Sequence, residues 1–317
     1  MNRALIIGVT GQDGTLLAGQ LETEGIDFYG VGSEGVVGFD GQVLQAGKVT
    51  DAEFVRQVVE ASPPSHVFYL AAHHHSAQDA GLAKDTDLWK LSMDVQVLGL
   101  ANTLEALRAH APGARLFYAA SSHIFGAPVD SPQNENTPMV PNNVYGVTKL
   151  MGNEVCKFYR RQHGIFASVG ILYNHESAYR KEKFLSQKII RGALGIKSGR
   201  ATQLVLGDLS ARVDWGYAPD YVDAMVRMLR LPEPGKYVIA TGEAHTVREF
   251  VSVAFENLGL DYKEWVVEDP SIIRKNSTVL IGDSSKLRRE TGWAPSLSFP
   301  DMVRLLTQQT QQRPLPE

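Results

Sequence analysis

The feature that most constrains this chain is its first fourteen residues. ALIIGV (4–9) is a short, wholly apolar run of strand length, and GVTGQDG follows at once. Gly8, Gly11 and Gly14 stand in GxxGxxG spacing, and TLLAGQLETEG (15–25) continues with helical periodicity. A buried strand that turns through spaced glycines into a helix is the opening of a nucleotide-binding βαβ unit. The glycines permit a tight turn, close approach of backbone to a pyrophosphate, and close strand–helix packing. Gln12 and Asp13 lie inside this turn and join the candidate cofactor contacts.

The rest of the first half keeps the same rhythm. Strands are predicted at IDFYGVG (26–32), HVFYLAA (66–72), RLFYAASS (115–122) and FASVGILYN (166–174). Helices are predicted at FVRQVVEAS (54–62), DVQVLGLANTLEALRAH (94–110) and YGVTKLMGNEVCKFYRRQHG (145–164). Alternation of this kind specifies an α/β fold, a Rossmann-type doubly wound parallel sheet with ligands at the carboxyl ends of its strands. After Asn174 the chain becomes richer in charge and glycine. Helices at FLSQKIIRGALG (184–195), VREFVSVAFENLG (247–259) and PDMVRLLTQQT (300–310) surround one more sheet strand, YVIATG (237–242). The expected division is a dinucleotide-binding domain of residues 1–174 plus about 213–243. A smaller, interleaved substrate domain takes about 175–212 and 244–317.

The 317 residues carry a net charge of −4, which gives no general attraction to nucleic acid or an acidic membrane. The single cysteine, Cys156, cannot form an intramolecular disulfide, so a reducing compartment is expected. The N-terminal apolar run is too short for a signal peptide or a span, and no later span is visible. The expectation is a cytoplasmic protein.

Tyr145 and Lys149 lie four apart at the start of a predicted helix and so share one face. An ammonium beside a phenol would lower the phenol's pKa and create a base for a sugar hydroxyl. Ser121, at the end of the preceding strand, can polarise the same oxygen. Lys149 can also hold the nicotinamide ribose, and Ala71 and Ala72 line the cofactor cleft. The second strand ends at Gly32, Ser33 and Glu34; with an acid and no arginine there, NAD(P) binding leans to NAD.

Glycine turn, serine-bearing strand and YxxxK together resemble the extended short-chain dehydrogenase/reductases. GVTGQDG, LYNHES (172–177), FLSQKI, LGDLSARVDWGYAPDYVDAM (206–225) and ATGEAHTVREFVSVAF (240–255) narrow the resemblance to the GDP-mannose 4,6-dehydratase family, over residues 3 to about 306. The resemblance implies oxidation at C4 of a nucleotide-linked hexose, loss of the C5 proton, departure of water from C6, and return of hydride. It implies a GDP-sugar as the small-molecule partner and a homodimer or homotetramer. It places Asn174, His175 and Glu176 where cofactor and sugar meet, with Lys188, Arg212 and Arg274 on the nucleotide-sugar and His73 near the sugar. Asp220 and Tyr221 read as scaffold.

Four departures stand against the family pattern. His123 replaces the glutamate that handles the C5 proton; a histidine can also serve as a base there, but its ring is bulkier and its reach differs. Gly32, Ser33 and Glu34 replace arginines, Lys48 in GKVTD replaces an acid at the adenine, and Ser277 in RKNS replaces a carboxylate at the nucleotide ribose. In AAHHHSA (71–77), adjacent side chains diverge and no acidic or cysteine partner is evident, so no metal is expected. Two reactions remain open: 4,6-dehydration, and epimerisation or 4-keto reduction on the same scaffold, which needs Ser121, Tyr145 and Lys149 but no dedicated C5 base. The intact Ser–Tyr–Lys set argues against a non-catalytic cofactor sensor.

Overall fold

The structure is a computed structural model that describes residues 1–37, 43–73, 85–272 and 279–312. The chain opens with β1 (Arg3–Ile7), α1 (Gln12–Thr23) and β2 (Asp27–Val31). A hairpin of β3 (Gly35–Val37) and β4 (Val43–Ala46) precedes α2 (Ala52–Ala61) and β5 (His66–Tyr69). Next, α3 (Asp85–Met93) runs through a π turn at Asp94–Leu98 into α4 (Gly99–His110), and β6 (Arg115–Ser121) returns to the sheet. Then come α5 (Val144–His163), β7 (Phe166–Leu172) and the short β8 (Asn174–Glu176). The second half holds α6 (Leu185–Lys197), β9 (Leu204–Leu206), β10 (Arg212–Tyr217), α7 (Ala218–Arg230) and β11 (Lys236–Ile239). It closes with β12 (Ala244–Thr246), α8 (Val247–Glu256), β13 (Val266–Glu268), α9 (Ser285–Thr291) and α10 (Phe299–Gln311).

The main sheet has the order β11-β7-β6-β5-β1-β2-β3-β4. From β11 to β2 every pairing is parallel. The edge departs from the all-parallel expectation, because β3 and β4 pair antiparallel. The chain reverses within Gly32–Gly35, where the Gly32 N–H donates to the Gly35 carbonyl. Central strands are covered on both faces, which is why they read as unbroken apolar runs: Ala4 to Ile7 are all buried. The order reverses at β1, and that switch point opens the crevice for a ligand.

The predicted strand 166–174 divides at Tyr173. β7 stays in the main sheet, whereas β8 leaves it to pair in parallel with β10, Asn174 opposite Trp215 and Glu176 opposite Tyr217. β12 completes this small sheet. Helix α7 was not anticipated; its Pro219 reads as a turn signal but suits a helix's first turn. One apolar core lies around the main sheet, and a second gathers α6, α8, α10 and Trp215. Cys156 is buried in the first core. Among the described residues no helix is long and apolar enough to cross a membrane.

Candidate active site

The glycine turn is sterically obligatory. A Cβ on Gly14 would lie 2.3 Å from the Gly8 carbonyl oxygen and 2.6 Å from Val9 Cα, so α1 can start here only without a side chain. Gly8 adopts φ +96°, and a Cβ there would sit 2.8 Å from the Ala71 nitrogen. A cleft of about 440 Å³ opens beside this turn. Gly8, Gly11, Ser33, Ala71, Ala72 and His73 line it. Lys48 and Lys181 line it too. Glu34, from which the lean to NAD was drawn, is exposed and is not part of the wall. The glycine-spaced turn and the cleft's run along the ends of β1, β2 and β5 fit a dinucleotide, whose pyrophosphate this backbone can approach.

Gln12 and Asp13 turn from the cleft to β8. The Ser177 hydroxyl donates to Gln12 Oε1 at 2.8 Å, and Gln12 Nε2 donates to the His175 carbonyl at 3.2 Å. His175 Nε2 lies 3.1 Å from both Asp13 carboxylate oxygens, and its Nδ1 lies 2.7 Å from the Tyr173 carbonyl. Both ring nitrogens therefore face acceptors, and the ring is an imidazolium. Burial opposes both charges, but pairing wins. Asp13 is held at about 2 and His175 is raised above its ordinary value. Tyr221 stacks on the His175 ring at 4.6 Å, which matches its reading as scaffold, as does the Asp220 carboxylate accepting the Ser296 N–H at 2.9 Å.

Ser121 ends β6 and caps the short 3-10 turn that carries His123; its Oγ accepts the His123 N–H at 3.3 Å. Asn143 caps α5, which delivers Tyr145 and Lys149. Gly146 lets the first turn of α5 pack on that segment, since a Cβ would be 2.5 Å from the His123 carbonyl oxygen. The His123 and Tyr145 rings meet edge-on with centroids 5.7 Å apart. Lys149 Nζ donates to the Ala119 carbonyl at 2.7 Å and lies 5.6 Å from the Tyr145 ring centroid.

The expected lowering of the Tyr145 phenol by Lys149 is opposed here by burial. Burial dominates both groups, pushing the Tyr145 phenol up to about 12 and the Lys149 ammonium down to about 7. The cation that lowers Tyr145 is Arg180, which sequence reasoning missed; Asp13 acts the other way. Arg180 stacks over Phe184 at 3.9 Å and lies 3.5 Å from buried Glu176. Its spacing of four from Glu176 was the available signal. Glu176 also accepts a hydrogen bond from Ser186.

The other expected substrate contacts are less gathered. Asn174 is exposed at the start of β8, and Lys188 is half-buried on α6. Arg212 is exposed on β10, where its guanidinium donates to the Ala244 carbonyl at 3.1 Å. Arg274, Ser277 and His74 lie outside the described residues.

A parallel sheet with a glycine-turn cleft at its switch point, and serine, tyrosine and lysine at the neighbouring strand end, defines an NAD(P)-dependent enzyme of the extended short-chain dehydrogenase/reductase type. Residues 5–306 match the family model described as GDP-mannose 4,6 dehydratase. The chain belongs to that family. It is 36% identical over 325 residues to GDP-mannose 4,6 dehydratase 2 of Arabidopsis thaliana, covering 96% of this chain and 85% of the relative. It is 31% identical over 339 residues to the Homo sapiens GDP-mannose 4,6 dehydratase, covering 96% and 90%. RMD from Pseudomonas aeruginosa, solved with NADPH, superposes with a TM-score of 0.84 at 20% identity over 98% of this chain and 99% of that one. UDP-glucose 4-epimerase of Thermus thermophilus, solved with NAD, gives 0.80 at 20% identity over the same shares.

Proposed function

We propose that this protein is a cytoplasmic enzyme that oxidises a GDP-linked hexose at C4, reversibly, using NAD(P). The observation that carries the reading is the meeting of Ser121 and His123, at the end of β6, with Tyr145 and Lys149, in the first turns of α5, on a sheet whose glycine turn borders a cleft. When bound, the nicotinamide supplies a hydride acceptor for the C4 hydrogen. Tyr145 takes the O4 proton once ionised; burial raises this phenol, and the Arg180 charge acts the other way. Ser121 Oγ accepts the His123 N–H with one lone pair, and its hydroxyl hydrogen donates to the same O4 oxygen. Lys149, anchored on the Ala119 carbonyl, orients the ribose side of the cleft. Whole-chain similarity supports 4,6-dehydration as the outcome.

A second reading, hydride return as in an epimerase or 4-keto reductase, is favoured by one contact: His123 Nδ1 faces the Asn143 amide, not a carboxylate. Incubation with GDP-mannose and product mass separate the two. Loss of one water supports dehydration, unchanged mass with altered stereochemistry supports epimerisation, and gain of two hydrogens by a GDP-4-keto sugar given with reduced nicotinamide supports 4-keto reduction. Absence of any nicotinamide reduction with GDP-hexoses would sink both.

A further inference from the structure

We propose that Asn143 fixes the tautomer of His123, so that this chain offers the sugar an N–H from the imidazole. The argument starts from the helix cap. Asn143 Oδ1 accepts the Gly146 N–H at 2.8 Å, so the amide's oxygen is committed to the first turn of α5. Its nitrogen must then face the other way. Nδ2 lies 3.3 Å from His123 Nδ1 and 3.1 Å from Asn142 Oδ1, which uses both of its hydrogens. An amide NH2 donates and has no lone pair to offer. His123 Nδ1 is therefore the acceptor, and the single proton of the neutral ring sits on Nε2.

The surroundings hold the ring to this arrangement. The His123 backbone is tied to Ser121, and Tyr145 presses edge-on against the imidazole. A second proton would have to enter at Nδ1, straight against the amide donor. Although its ring is partly open to solvent, loss of hydration lowers the His123 pKa and favours the neutral ring; among the described residues the titratable side chain in ring contact is Tyr145, a phenol. Removal of a C5 proton needs a lone pair directed at the sugar. Here Nε2 carries hydrogen and Nδ1 is occupied, so His123 donates to a sugar oxygen and does not take the C5 proton. This consequence rests on the C4-oxidation reading, but the tautomer does not.

The test uses the intact protein labelled with 15N at histidine. Two-bond proton–nitrogen correlation reads the His123 tautomer without substrate, and the wild type should show the Nε2–H form. Asn143→Asp keeps a good helix cap, since aspartate ranks with asparagine there. Its second oxygen accepts, so it should reverse the tautomer to Nδ1–H and raise the His123 pKa by about one unit or more. With GDP-mannose in D2O, deuterium entry at C5 should then be at least about tenfold faster than in wild type, and His123→Ala in that background should abolish the gain, one pKa unit corresponding to roughly tenfold in the relevant equilibrium. Asn143→Ser retains a capping oxygen but withdraws the amide, and should leave a mixture of tautomers. An Nδ1–H form in the wild type overturns the proposal, as does an Asn143→Asp protein with unchanged tautomer and exchange. Nicotinamide absorbance on mixing with GDP-mannose reports C4 oxidation separately, so failure of that reading is seen apart from failure of the tautomer assignment.

Discussion

Exchanging Asp13 for asparagine probes the clasp between the glycine turn and β8. In the native protein a buried imidazolium at His175 donates to the Asp13 carboxylate at 3.1 Å and to the Tyr173 carbonyl at 2.7 Å. The fall of Asp13 from 3.8 to about 2 corresponds to roughly 2–3 kcal/mol of preference for the charged carboxylate, at about 1.4 kcal/mol per pKa unit. Asp13 is lowered, so its contribution is present above its unfolded value and is lost as pH falls towards 2. His175 is raised, so its contribution is present below about 6.5 and fades as pH rises through the higher folded value. Both are in place between about pH 4 and 6.5. Asp13→Asn should therefore lose about 2–3 kcal/mol at pH 5.5 and distinctly less at pH 9. Urea unfolding followed by tryptophan fluorescence at the two pH values measures the difference. Imidazole NMR should place His175 above 6.5 in the wild type and below it in the variant. Equal urea midpoints for the two proteins at pH 5.5, or a wild-type His175 that titrates below its ordinary value, would refute the reasoning.

Three further outcomes are expected. Tyr145→Phe removes the proton acceptor and should cut turnover by about 10²–10⁴-fold while nicotinamide dinucleotide binding stays within a few-fold, read by steady-state kinetics and fluorescence titration. Gly14→Ala puts a methyl group 2.3 Å from the Gly8 carbonyl oxygen, against backbone that cannot yield cheaply. It should destabilise by about 1–3 kcal/mol and abolish dinucleotide binding; retained binding by calorimetry would contradict the turn's assigned role. NADH should bind more tightly than NADPH, because β2 ends in Gly32, Ser33 and Glu34 with no arginine. Higher affinity for NADPH in the same titration would shift the assignment to the lysines on the cleft wall, Lys48 and Lys181.

Much of the framework could be read from residue order because it depends on local periodicity. Apolar runs of four to seven residues can be strands only if both faces are covered, and the glycine spacing admits one kind of turn. The i, i+4 relation of Tyr145 and Lys149 likewise follows from helix geometry alone. Short elements escaped this logic. β3, β4 and β8 span 3, 4 and 3 residues, too few for a period to register. The break at Tyr173, which carries His175 across to the glycine turn, is set by pairing with β10, some 40 residues later.

The sequence alone determined the alternation of the main strands and helices, the glycine turn after the first strand, and the shared helix face of Tyr145 and Lys149. Tertiary structure decided their charges. Burial lifts the Tyr145 phenol and depresses the Lys149 ammonium, Asp13 keeps His175 protonated, and the Asn143 amide turns His123 into a donor. Protonation depends on the dielectric and partners around a group, and residues distant in the chain supply both only once it has folded.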